Sequence, residues 1–135
     1  MHRLISRTLA LLLFAILAFT GGAFAAGKLA PQTSSQSGVT VKVTPRSLAG
    51  AEWEFEVVFD THSGELKDDL LKAAVLVADG SAPSPPTGWQ GDGPGGHHRK
   101  GVLRFKPAAT PPARLELRLQ RPGEAAPRVF RWQLR

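Results

Sequence analysis

From Val39 onward the apolar residues of this chain recur at every second position. Val39, Val41 and Val43 form one run and Trp53, Phe55, Val57 and Phe59 a second. Leu103 and Phe105 follow, then Leu115, Leu117 and Leu119, and finally Phe130, Trp132 and Leu134. A period of two puts the apolar side chains on one face of an extended segment and the polar ones on the other, so each run predicts a half-buried strand. Residues 72–78 (KAAVLVA) are almost continuously apolar and end at the turn dipeptide Asp79-Gly80, which predicts a fully buried strand. Only residues 63–71 (SGELKDDLL) carry a helix-like spacing, with Leu66, Leu70 and Leu71 on one side, enough for about one helical turn. Residues 81–97 and 107–112 are rich in Pro and Gly and read as two long loops, and Pro122-Gly123 marks the last hairpin. Six or seven short strands without a long amphipathic helix predict an all-β fold, an antiparallel sandwich of immunoglobulin-like or fibronectin-like type, with an open barrel as the alternative. Trp53 and Trp132 fall on inward positions and are expected in the core, whereas the loop residue Trp89 fits either a core or a ligand role.

The first residues change where this domain is expected to work. Arg3 and Arg7 precede an apolar stretch from Leu9 to Phe19, followed by Gly21, Gly22 and Ala23-Phe24-Ala25. A basic start, an apolar segment of about 7 to 15 residues and an A-x-A site are the parts of a signal peptide. We therefore expect a signal helix over residues 1–25, cleavage after Ala25 and a periplasmic or secreted product. The apolar stretch is too short for a membrane anchor of about 20 residues, so no membrane span is expected after cleavage. Residues 26–38 (AGKLAPQTSSQSG) are small and polar and predict a flexible leader, leaving 39–135 as one sandwich domain. The chain has no cysteine, so apolar burial alone must hold the fold in an oxidising compartment. Lys and Arg outnumber Asp and Glu by 17 to 11. Most of this excess alternates with apolar residues in the last third, from Lys100 and Arg104 through Arg118, Arg121, Arg128 and Arg131, and so predicts a solvated sheet face. No dense basic block with interleaved aromatics is present, and with export this argues against a nucleic-acid partner.

Chemistry concentrates at two places. Asp60-Thr61-His62 ends the second strand, and extended geometry would put Asp60 and His62 on one side. Residues 91–99 (GDGPGGHHR) carry His97, His98 and Arg99 on a backbone that its glycines leave free to bend. Folded over the strand end, the loop would let His62, His97, His98 and Asp60 surround one divalent ion, and imidazole with carboxylate suits Zn, Cu or Ni. Asp92 and Arg99 would order the loop or hold an anion. The alternative is a set of turn-capping side chains with no ligand. Glu52, Glu54 and Glu56 alternate with the aromatic positions of their strand and are expected to face solvent; no nucleophile-and-base arrangement is present, so no enzyme activity is expected.

The segments WEFEVVFDTHSGELKDDL, GWQGDGPGGHHRKGVLRF and VFRWQL together resemble a group of short exported bacterial proteins to which no activity is attached. The resemblance covers nearly all of the expected domain. It implies a shared fold and singles out Asp60, His62, His97, His98 and Arg99. After DTHS this chain departs from that pattern with Glu65-Leu66 and Asp69-Leu70, a difference expected to bear on the surface alone. The sequence thus predicts an exported binding module holding a divalent metal or small polar ligand at a His/Asp loop site. The alternative is a structural or interaction domain that docks a periplasmic protein partner without any ligand.

Overall fold

The computed structural model describes residues 29–135, so the expected signal peptide and the start of the leader lie outside the described residues. Eight strands and one helical turn follow in order: β1 (Gln32–Gln36), β2 (Val39–Ser47), β3 (Trp53–Thr61), α1 (Leu70–Ala73), β4 (Ala74–Ala78), β5 (Gly88–Gly91), β6 (His98–Phe105), β7 (Arg114–Leu119) and β8 (Arg128–Gln133). All strand pairs are antiparallel. They form a five-stranded sheet in the order β1-β2-β3-β6-β5 and a three-stranded sheet in the order β4-β7-β8. The all-β expectation therefore holds, with two sheets in a sandwich-like arrangement. Among the described residues no helix is long and apolar enough to cross a membrane.

The alternation read from the sequence is what joins the sheets. Val41, Val43, Phe55, Val57, Phe59, Leu103 and Phe105 from the larger sheet share one buried cluster with Leu76, Leu115, Leu117, Leu119, Phe130 and Trp132 from the smaller. Phe55 stands edge-on to Phe105 at 5.7 Å and tilts against Trp132 at 5.6 Å. Such aromatic pairs contribute about 0.5–1.5 kcal/mol each beyond area burial. Trp53 and Trp132 are buried as expected.

Three expectations are corrected. Part of the supposed leader, Gln32–Gln36, is β1, which pairs with β2 from Gln32↔Val43 to Gln36↔Val39. Its connection is Ser37-Gly38 with both residues at positive φ, the primed two-residue turn that matches strand twist. The Pro/Gly-rich loop 81–97 contains β5, whose residue Trp89 packs against the core. Leu66 and Leu70, expected to matter only at the surface, are 1% and 2% exposed and close one end of the core. The helical turn starts one residue after Asp69, which caps it by accepting from Leu71 N–H, and Lys72 and Ala73 end it before β4 begins.

Candidate functional site

The two candidate segments meet at one end of the sandwich. Backbone bonds fix them: Thr61 N–H donates to His97 O (2.9 Å), Leu66 N–H to Gly96 O (3.0 Å) and Gly95 N–H to Leu66 O (2.8 Å). Gly95 and Gly96 sit at φ of 113° and 73°, a conformation that glycine adopts without strain. Asp92 orders its end of the loop from both sides, its carboxylate accepting from Lys100 N–H (2.9 Å) and its carbonyl from Trp89 Nε1 and Arg99 Nε (3.0 Å each).

The four expected metal donors separate. His98 is the first residue of β6 rather than a loop residue, and it stands directly opposite Asp60 on the solvent face. Their side chains share a 2.5 Å hydrogen bond. An ionised carboxylate can only accept, so His98 Nδ1–H donates and Nε2 points away. His62 does not share Asp60's side of an extended strand, because β3 ends at Thr61 and the Thr61 hydroxyl accepts from Ser63 N–H to turn the chain. His97 contributes its carbonyl to Thr61. Among the described residues no group of three or more His, Cys, Asp or Glu side chains gathers where it could hold a metal ion.

Beneath this end runs a buried chain of charges that sequence reasoning missed. Arg99, 3% exposed, donates from Nη1 to Asp68 O (2.6 Å) and lies over the Trp89 ring at 5.6 Å. The Asp68 carboxylate takes two 2.9 Å bonds from Arg121. Arg121 approaches Glu124 at 3.5 Å, and Glu124 takes two bonds from Arg128 at 2.9 and 2.7 Å. Arg128 also donates to Ser34 O (3.1 Å), Val39 O (2.9 Å) and Gln36 O (2.8 Å), reaching from β8 to the β1–β2 hairpin. Arg121 and Arg128 therefore do not belong to the solvated basic face. Arg104 on the outer side of the larger sheet, and Arg118 and Arg131 on that of the smaller, do face solvent, paired with Glu54, Glu116 and Glu116. Glu56 on the same outer side of the larger sheet pairs with Arg46.

Arg128 holds the Glu124 carboxyl below its ordinary value of 4.5, outweighing the burial that would raise it. Glu116, bonded by Arg131 and Arg118, and Glu56, bonded by Arg46, are lowered likewise. A folded-state value below the unfolded one means stability that is full above about pH 4.5 and drains as pH falls through the folded-state value. We expect the urea midpoint to drop between pH 5 and 3, about the carboxylate range. Glu124→Gln should flatten that acid limb without abolishing it; an unchanged slope would mean the network does not titrate with folding.

Comparison of the chain with protein-family models, with curated proteins and with solved structures found no match.

Proposed function

We propose that this chain is an exported, non-enzymatic binding module of immunoglobulin-like type that holds a small polar ligand at the end built by residues 61–70 and 91–99. The strand order supports the fold reading. β2-β3-β6-β5 over β4-β7-β8 matches the ABED over CFG order of constant-type immunoglobulin domains, with β1 added outside the first strand. The chain lacks the cysteine pair and the corner tyrosine of antibody domains, and aromatic packing stands in their place.

The observation that carries the binding reading is the rigidity of the loop pair. Its backbone is tied by the Thr61–His97, Leu66–Gly96 and Gly95–Leu66 bonds, and loops held by a rigid sandwich are where binding residues concentrate. Asp60 and His98 engage each other, which favours a polar or anionic ligand over a divalent ion needing further donors. Edge docking is less favoured, because each exposed edge is occupied or short. Ser84 bonds both ways to Leu76 on β4 beside Pro83 and Pro85, Arg128 spans the β1–β8 seam, and β5 has four residues.

The test is to titrate the ¹⁵N-labelled protein with Zn(II), Cu(II), Ni(II), phosphate, amino acids and small organic acids. Saturable shifts confined to the amides of residues 61–70 and 91–99, from a polar or anionic member, are expected. If no probe moves those amides, the reading fails.

A further inference from the structure

The charge chain does not balance. Its buried members are three guanidinium groups, Arg99, Arg121 and Arg128, against two carboxylates, Asp68 and Glu124. Both carboxylates are engaged by Arg121 and Arg128, and among the described residues no carboxylate lies within salt-bridge distance of Arg99. A buried cation without a counter-charge is costly, so the excess positive charge falls on Arg99.

Arg99 is also left with a donor to spare. Its Nε and Nη1 bond to the Asp92 and Asp68 carbonyls, while Nη2 has no partner among the described residues. Among the described residues no side-chain nitrogen or oxygen sealed from solvent lacks a partner, so Nη2 is not sealed from solvent. Arg99 lines a cavity of about 300 Å³, walled by Trp89, Pro94, Leu70 and Leu71, with Lys67, Asp68 and Asp69 also among its lining residues. Leu71 is 48% exposed, an unusual place for a large apolar side chain in this domain. A cavity of this size lies at the lower end of small-ligand sites, which pair apolar walls with a few placed polar groups. Lys67 and Asp69 carry opposite charges, and the carboxylate of Asp68, which also lines the cavity, is held by Arg121, so the net attraction is that of one guanidinium, which suits a monoanion better than a phosphate dianion.

We propose that this cavity binds a small carboxylate with an apolar or aromatic body. One carboxylate oxygen accepts from Arg99 Nη2, and the body lies against Trp89, Pro94 and Leu71. The proposal rests on the binding-module reading above and names its ligand class. A free organic acid and the C-terminal residue of a peptide present the same chemistry.

The experiment follows the Trp89 indole Nε1–H resonance of the purified protein, assigned with Trp89→Phe. The probes are phenylacetate, phenylacetamide, phosphate, and Gly-Gly-Phe with a free or an amidated C-terminus. Saturable shifts with phenylacetate and none with phenylacetamide are expected. A peptide that binds only with its free C-terminus, and more tightly than phenylacetate, identifies a peptide end as the source; the reverse order identifies a free acid. Arg99→Met should abolish the response, but it also removes two loop bonds, so Leu71→Asp and Leu71→Lys provide the test on an intact loop. Both lose the apolar Leu71 contact alike, so Leu71→Lys should bind more tightly than Leu71→Asp by about threefold to fivefold. Equal response to acid and amide, phosphate competing as strongly as phenylacetate, or equal binding by the two Leu71 variants would overturn the proposal. Shifts at the loop-end amides from other ligands, with none from carboxylates, would overturn it and leave the binding module standing.

Discussion

Replacing Asp68 with Ala is expected to lower the unfolding free energy by about 3–5 kcal/mol, read as a fall in the urea midpoint at neutral pH. The Asp68 side chain is 1% exposed, and both its oxygens are held by Arg121 at 2.9 Å. Without it, Arg121 keeps its place over the Phe59 ring at 6.0 Å and the 3.5 Å approach to Glu124, already bound twice by Arg128. The cost is that of a stranded buried cation, not of a lost contact, and against a total of about 5–15 kcal/mol it is large. Asp68→Asn, which keeps volume and removes charge, should fall nearly as far. The double variant Asp68→Leu/Arg121→Met should recover more than half of the loss, because an apolar pair of similar size avoids the desolvation of both ions. A single-variant loss below about 1 kcal/mol, the range of exposed ion pairs, would show that the network is solvated.

Gly101→Ala should cost about 2–3 kcal/mol and displace Trp89. A β-carbon at Gly101 would stand 2.5 and 2.6 Å from two carbons of the Trp89 ring and 2.8 Å from the Gln90 carbonyl. The ring cannot retreat freely, because its Nε1–H is tied to the Asp92 carbonyl and Arg99 lies over its face. Nor can the strand, because Gly91 faces Gly101 so closely that a β-carbon on Gly91 would stand 2.4 Å from the Gly101 α-carbon. Tryptophan emission should shift to the red as the indole becomes solvated. The double variant Gly101→Ala/Trp89→Ala should lose less than the sum of its parts. Additive losses would mean that the ring does not occupy that slot.

The fold was readable because period two and inward burial coincide wherever the inward residue is apolar. The same parity also marked the charge chain. Leu115, Leu117 and Leu119 continue to Arg121, Phe130 and Trp132 continue back to Arg128, and Leu103 and Phe105 continue back through Gly101 to Arg99. Reading Arg121 and Arg128 as a wet face followed their chemistry and ignored their position. β1 was hidden because QTSSQ has neither apolar alternation nor charge; its signals were the Ser37-Gly38 turn and the partner strand Val39–Val43. Asp60 and His98 stood out in the sequence as metal donors, but their pairing with each other depends on the β3–β6 register, which local pattern does not specify. Asp68 offered little beyond its place between Leu66 and Leu70.

The Arg128 clasp bears on the order in which the chain folds. Its carbonyl partners on the first hairpin lie 89 to 94 positions away in sequence, so closing this loop carries a large entropic cost before any bond is gained. A contact of that separation is expected to form late, once the sheets have already met. Interactions absent from the transition state slow unfolding and leave the folding rate almost untouched. The guanidinium is therefore expected to act as a latch on lifetime: it governs how long the assembled domain persists, rather than how fast it first assembles.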